Sequence, residues 1–347
     1  MSRINTKKLK IGDVFIGGSN KILIQSMCNI KTSNVDQVVA QINECADLGA
    51  DLMRVSVLDY EDCEALKEIN SRISIPLIAD IHYNHEFALK AIENGCKKIR
   101  INPGNITNKE HLLKIIEKAK ENNVVIRIGV NAGSLINEKD NNIETVDLIC
   151  KTALEYINFF EKHGFYNLVI SLKTSDVIET IECYKNFSKL SNYPLHIGLT
   201  ESGFDDIGII KSVSALSPLL LEGIGDTIRI SLTGSPQKEI LTCKRLLHSL
   251  NLYPNYPTLI SCPTCGRTQV DVKTIAEKTL EFLEANHINK KVAIMGCPVN
   301  GIGEGKNADI GLAGGKNQYI IFKKGEIIKK ISEEKALEAL FEELLKD

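Results

Sequence analysis

Between residues 22 and 232, eight short runs rich in Ile, Val and Leu alternate with longer stretches of helical periodicity. No other feature of the chain constrains its fold as strongly. The runs are 22–27, 52–57, 75–81, 98–102, 124–130, 167–173, 195–200 and 227–232. The helical stretches include 35–48, 85–94, 109–122, 144–163, 176–191 and 236–250, several of them opening on cap-type residues: Asn34, Asn108 and Ser175. Eight strand–helix units in ~230 residues predict an α/β fold of the (β/α)8 TIM type. An open doubly wound sheet would carry a glycine-rich phosphate loop after its first strand, and IQSMCNIKTS at that position contains no glycine.

The helical pattern stops near Leu250. The next segment, NLYPNYPTLI, contains two Tyr–Pro steps and reads as a linker over 251–260. Residues 261–347 then read as a small α/β domain. It has SCPTCGR, a helix at about 271–286, a strand in KVAIMG, the loop CPVNGIGEGKNADIGLAGG, two strands turning at Lys324–Gly325, and a final helix over 333–346. The expected plan is a barrel at 1–250 for substrate, a linker, and a cysteine-bearing domain at 261–347. Lys and Arg total 42 against 44 Asp and Glu, so a nucleic-acid partner is not expected. No apolar run approaches the ~18–20 residues of a membrane-spanning helix, and no membrane partner is expected. The basic start MSRINTKKLKIGDVFIGG lacks the ~7–15-residue apolar core of a signal peptide, so a cytoplasmic location is expected.

Strand side chains alternate between faces. In KIRIN, Ile99 and Ile101 point to the helices and leave Arg100 and Asn102 facing the lumen. The same phase turns Arg127, Gly129 and Asn131 inward, and also Arg54, Arg229, Ser231, Ser171 and Lys173. Asp80 and His82 share one face. His196, Gly198 and Thr200 share another, with Glu201 just beyond. An ordinary barrel lumen is filled by Val, Ile and Leu. Four arginines and a lysine aimed at one lumen outnumber carboxylates such as Asp80 and Glu201. The guanidinium fork suits phosphate, so the pattern points to a ligand with two or more phosphates at the C-terminal ends of the strands.

Cys262 and Cys265 form a CPTC turn, and Cys297 follows in GCPVNGIGE. The other seven cysteines are scattered and read as small core residues. In a reducing compartment, three thiols on loops read as metal ligands. Structural zinc wants a closed set of four, for which His287 is the nearest candidate. An iron–sulfur cubane with three thiolates leaves one iron for an oxygen ligand or for substrate, and Glu304 is placed to fill that position. The CxxxCxxC arrangement of radical enzymes is absent.

The segments MRVSV, ADIHYN, KIRINPGN, RIGVNAGSL, LHIGLTESG, GIGDTIRISL, SCPTCGR and GCPVNGIGE, in this order, resemble the motifs of one family essentially end to end. It is the 4-hydroxy-3-methylbut-2-enyl diphosphate synthase family of the methylerythritol phosphate route to isoprenoids, in its short bacterial form. The resemblance implies a barrel followed by a 4Fe–4S domain. It implies reductive opening of 2-C-methyl-D-erythritol 2,4-cyclodiphosphate, with loss of water and with two electrons from flavodoxin or ferredoxin. It implies Cys262, Cys265, Cys297 and Glu304 as cluster ligands. It implies Arg54, Arg100, Arg127, Lys173, Arg229 and Ser231 as diphosphate-binding side chains, with His82, Asn102 and Asn131 nearby. Glu201 corresponds to the active-site acid, and Asn300 lies beside the cluster. A head-to-tail homodimer is implied, each cluster domain capping the other chain's barrel. After the third cysteine the family usually reads VVNGPGEA; here the run is PVNGIGEG, with Pro298, Ile302 and Gly305 as departures. Two other classes remain compatible with the residues: a cluster-dependent, non-redox hydro-lyase on a phosphorylated substrate, and a zinc-stabilised binding protein.

Overall fold

Strands joined by crossover helices are covered on both faces, so they are buried without alternation. LVISLK at 168–173 is buried at every position. The computed structural model describes residues 3–18, 21–102, 104–133, 144–297, 303, 305–315 and 318–346. It divides into two units, Met1–Leu252 and Tyr253–Asp347. The first opens with an antiparallel hairpin, β1 (Leu9–Ile11) and β2 (Val14–Ile16), turned at Gly12 with φ 58°. Eight strand–helix pairs follow. They are β3 (Leu23–Met27) and α1 (Val35–Asp47), β4 (Leu52–Val57) and α2 (Tyr60–Arg72), β5 (Leu77–Ile81) and α3 (His85–Glu93), and β6 (Lys98–Ile101) and α4 (Lys109–Glu121). The chain continues through β7 (Val125–Asn131) and α5 (Thr145–Lys162), β8 (Leu168–Lys173) and α6 (Val177–Leu190), β9 (His196–Ile197) and α7 (Asp205–Leu221), and β10 (Thr227–Ile228) and α8 (Pro236–Ser249). The strands run β8-β7-β6-β5-β4-β3-β10-β9, and a parallel bridge between Ile170 and Leu195 closes the ring. The expected TIM-type barrel is therefore present.

Three local expectations change. Ser175 does not cap α6; Asp176 does, its carboxylate accepting the Glu179 N–H at 2.9 Å. Asn34 precedes α1 without a side-chain cap bond, whereas Asn108 accepts from the Glu110 N–H. Finally, β9 and β10 are two residues each, not six. Side chains take over the backbone groups that would extend the ladder: Glu239 accepts the Leu232 N–H at 2.9 Å, and the Ser202 hydroxyl donates to the Ser231 carbonyl.

The hairpin, which the periodicity did not announce, floors the barrel. Leu9, Ile11 and Ile16 pack against the inward residues Leu23, Leu52, Ile78, Val125 and Val169. Everything polar in the lumen lies on the other side of this apolar layer.

The second unit is a five-stranded sheet in the order β11 (Thr258–Ser261), β12 (Lys291–Met295), β13 (Ile310–Gly315), β14 (Gln318–Lys323), β15 (Glu326–Ser332), with the first three parallel. The helices α9 (Val272–Ala285) and α10 (Ala336–Leu344) share an apolar core with it, and the Phe282 and Phe341 rings stack 3.9 Å apart. The last helix begins with a 3-10 turn at Glu333–Lys335. Strand β11 occupies part of the segment read as linker, and β13 occupies part of the segment read as loop. Glycine is disfavoured in strands, so IGLAGG does not look like one. The reason for its glycines is close approach: a Cβ on Gly311 would lie 2.1 Å from the Phe322 ring, and one on Gly314 would lie 2.4 Å from Val270. Among the described residues, no helix is long and apolar enough to cross a membrane.

If the hairpin is a structural floor, Ile11→Ala should destabilise the barrel by about 2–5 kcal/mol, as buried Ile truncations do. Ile327→Ala, on a strand where that side chain is 48% exposed, should change stability by no more than about 0.5 kcal/mol. Urea unfolding midpoints of the two variants check the contrast.

Candidate functional site

Above the apolar floor, the lumen turns polar in a single step. The Lys98 ammonium donates to the Gln25 side-chain oxygen at 3.0 Å, and His196 Nδ1 pairs with the Thr227 hydroxyl at 2.7 Å. Burial, reinforced by Arg127, Lys173 and Lys98, holds the His196 imidazole well below its ordinary pKa, so it is neutral. Higher still, Arg54, Asp80, His82, Arg100, Arg127, Asn131, Ser171, Lys173, Thr200, Arg229 and Ser231 line a cavity of about 200 Å³. Every strand from β4 to β10 supplies a side chain or leads into a loop that does. The inward phase read from the alternation is the observed one for Arg54, Arg100, Arg127, Asn131, Ser171, Lys173, Arg229 and Ser231.

The electrostatics of this cavity are unbalanced. Five cations line it, and two carboxylates hold three of them. Asp80 sits 3.3 Å from Arg100, 3.6 Å from Arg54 and 3.7 Å from the His82 ring. Burial alone would raise the Asp80 carboxyl, but Arg54, His82, Arg100 and Arg127 together hold it well below the carboxylate range. Glu239 reaches in from α8, accepting from Arg229 Nε at 3.1 Å, Arg229 Nη2 at 3.2 Å and the Ser26 hydroxyl at 2.6 Å. Arg127 and Lys173 have no carboxylate partner among the described residues. Buried Nε and Nη1 of Arg127 make no hydrogen bond. Burial first, and neighbouring guanidiniums next, push both groups well below their ordinary pKa. Burial also brings Arg54 down to about 10, against the opposing pull of Asp80. A guanidinium keeps its proton in proteins, so Arg127 stays charged despite its burial. Two glycines make the room: a Cβ on Gly129 would lie 2.7 Å from Arg100 Nε, and one on Gly198 would lie 2.7 Å from Lys173 Nζ.

Not every expected residue reaches the cavity. Asn102 is buried beyond β6, its side-chain oxygen accepting the Gly104 N–H at 3.1 Å, and does not line it. Glu201 is exposed on the loop after β9, in the left-handed region at φ 53°, and does not line it either. Two charged residues escaped the reading from sequence. Lys98 lies two positions before Arg100 and shares its strand phase. Glu239 shares the buried face of α8 with Cys243 and Leu246, and a carboxylate at that helical spacing was the available signal.

In the second unit, Cys262 and Cys297 follow the parallel neighbours β11 and β12. The Gly296 N–H donates to Cys262 Sγ at 3.1 Å. Cys265 is exposed, and its thiol is held below the ordinary value chiefly by hydrogen bonds from the Arg267 backbone and side chain. Cys297 is buried. Thiols with amide donors at sulfur and a lowered pKa are the chemistry of a soft-metal donor set. Among the described residues, no three His, Cys, Asp or Glu side chains converge as ligands. Asn300, Glu304 and the departures Pro298 and Ile302 lie outside the described residues. Gly305 packs where a Cβ would lie 2.5 Å from the Phe322 ring.

Comparison with known proteins covers both units. Residues 6–244 match the GcpE TIM-barrel domain, and residues 258–346 match the GcpE protein C-terminal domain. The 4-hydroxy-3-methylbut-2-en-1-yl diphosphate synthase (flavodoxin) of Clostridium tetani is 48% identical over 346 residues, 99% of each chain. The protein of that name from Caldanaerobacter subterraneus subsp. tengcongensis is 49% identical, covering 98% of this chain and 97% of its own. Among solved structures, dihydropteroate synthase from Stenotrophomonas maltophilia aligns with a TM-score of 0.54 at 14% identity, over 71% of this chain and 97% of that one. That likeness is one of fold alone. With both units matched in order and nearly half of all residues shared end to end, the chain belongs to the GcpE family.

Proposed function

We propose that the cationic lumen is the substrate site of a reductive, ring-opening dehydration in isoprenoid-precursor synthesis. The activity is that of the chain's relatives, 4-hydroxy-3-methylbut-2-en-1-yl diphosphate synthases. It takes 2-C-methyl-D-erythritol 2,4-cyclodiphosphate, two electrons and two protons to 4-hydroxy-3-methylbut-2-enyl diphosphate and water. One observation carries the assignment of the site. Among the described residues, Arg127 and Lys173 are buried without an ion-pair partner in a cavity whose other cations are already paired. A cyclic diphosphate supplies the missing negative charge through charge-assisted hydrogen bonds.

The residues divide the work. Asp80 orients Arg54 and Arg100, and Glu239 orients Arg229, so three forks are set before the substrate arrives. Arg127 and Lys173 supply the uncompensated charge. Ser231, Asn131 and His82 add donors at the rim, with Asn102 behind them. Glu201 is assigned to protonate the departing hydroxyl. Cys262, Cys265 and Cys297, with Glu304 as the exchangeable fourth ligand, would hold a 4Fe–4S cluster, with Asn300 beside it. When bound, that group supplies the electrons and an open Lewis-acidic iron for the substrate oxygen. Flavodoxin stands as reductant in the names of the relatives; ferredoxin is the other candidate, and the compartment proposed is the cytoplasm.

The assembly we propose is a head-to-tail homodimer. Helix α8 runs antiparallel to the strands and ends at Ser249, on the face away from the strand C-termini. Residues 250–257 then extend at most about 29 Å before β11 starts, and within one chain they would have to travel around the barrel's rim. A second copy would bring a cluster domain to each lumen without that route.

Lys173→Met should weaken binding of inorganic diphosphate roughly 10–150-fold while leaving or raising the melting temperature, because it removes an unpaired buried cation. Arg229→Ala should weaken binding too, but it strands Glu239 and costs about 3–5 kcal/mol. Calorimetric titration and thermal unfolding separate the two. Unchanged affinity in both variants would remove the lumen from consideration.

Cys297→Ala should lose its iron and sulfide, and Glu304→Cys should hold a more stable cluster without turnover. Iron and sulfide analysis after anaerobic reconstitution reads both, and zinc in place of iron would overturn the assignment. For the dimer, mixing Cys297→Ala chains with Arg229→Ala chains should restore activity, since one of the two shared sites is then intact. Verified heterodimers without recovery would exclude sharing.

A further inference from the structure

Seven cysteines lie in the barrel unit, all buried and all free. Burial pushes Cys63 up to about 11 and Cys28, Cys45, Cys96 and Cys243 up to about 12. Cys150 and Cys183 differ from the rest. Cys150 sits in the second turn of α5 and Cys183 in the second turn of the neighbouring α6. Cys150 Sγ lies 3.7 Å from the Cys183 carbonyl oxygen, toward which its thiol donates. Interaction between the two side chains lowers the Cys150 thiol and raises Cys183. Cys150 is 6% exposed against 0% for Cys183, so a small oxidant meets Cys150 first.

The inner face of α6 is tied to the strand that carries Lys173. The Tyr184 hydroxyl, next to Cys183, accepts the Leu172 N–H at 3.1 Å and donates to the His196 carbonyl at 2.8 Å. Thr180 pairs with the Thr174 hydroxyl at 2.9 Å. Leu172 and Thr174 are the two chain neighbours of Lys173. A movement of α6 is therefore transmitted to both sides of that lysine.

We propose that Cys150 and Cys183 form an oxidation site, closed by hydrogen peroxide into an intramolecular disulfide that displaces Lys173 and reversibly weakens diphosphate binding. The step balances. The Cys150 sulfur attacks one peroxide oxygen, the O–O bond breaks, and water leaves with a sulfenic acid on Cys150. The Cys183 sulfur then displaces the hydroxyl, which leaves as a second water. Two thiols lose two protons and two electrons in all, and the peroxide is reduced. The bond fixes the two sulfurs about 2.05 Å apart, drawing α6 toward α5. The effect on binding rests on the lumen being the substrate site; the disulfide itself does not.

The test uses the full-length, reconstituted protein and its Cys150→Ser and Cys183→Ser variants, with alanine variants where serine prevents folding. Each is exposed anaerobically to hydrogen peroxide, the peroxide is removed with catalase, and free thiols are alkylated before peptide mapping. The expected result is a linked 150–183 peptide, two hydrogens lighter than its parts, in the wild type alone and reversed by dithiothreitol. Affinity for inorganic diphosphate should fall roughly tenfold on oxidation and recover on reduction, in the wild type alone. Alkylation of both thiols after peroxide overturns the oxidation site. A linked peptide with unchanged diphosphate affinity overturns the coupling to Lys173. Reduced wild type that binds no diphosphate overturns the lumen reading instead, while the linked peptide still decides the oxidation site.

Discussion

Like charges confined in a small cavity repel one another, and the first unit is organised around containing that repulsion. Five cations line about 200 Å³ with two carboxylates among them. The phase of every strand follows from this, because a slip of one residue would turn the cations into the helix layer. Gly129 and Gly198 follow as well, since any larger side chain would occupy the space of Arg100 or Lys173. So does the early end of β10: Glu239 holds Arg229 and the Leu232 amide at once, trading a ladder bond for a fixed guanidinium.

The legible parts of the fold were those in which one residue type repeats at one period. Eight apolar runs alternating with helical stretches announced the barrel, and Arg54, Arg100, Arg127 and Arg229 announced the lumen through the alternation within their strands. What stayed hidden depends on contacts between distant parts of the chain. Nothing in LKIGDVFI marks it as a floor until Ile11 and Ile16 meet Val125 and Val169. Nothing in IGLAGG marks it as a strand until Phe322 and Val270 come down on its glycines. Glu239 is a compensating charge, and compensation is visible only once Arg229 is beside it.

Cysteine shows how completely surroundings decide chemistry. In the second unit, Cys265 is exposed and its thiol is held down by Arg267. In the barrel, burial outweighs the Asn70 amide at Cys96 and the Ile230 backbone bond at Cys243, and both thiols go up. Within the buried Cys150–Cys183 pair the two thiols move in opposite directions, Cys150 down and Cys183 up.

The hairpin floor also shapes the field outside the protein. A low-dielectric plug on one side of a charged cavity concentrates the potential through the opposite opening. An anion in solution is therefore drawn in from one direction only, along a funnel whose strength falls as added salt screens it. If the lumen is the substrate site proposed above, the same geometry brings substrate in and product out on the side of the strand C-termini, so each turnover clears the lumen of one diphosphate before the next is captured.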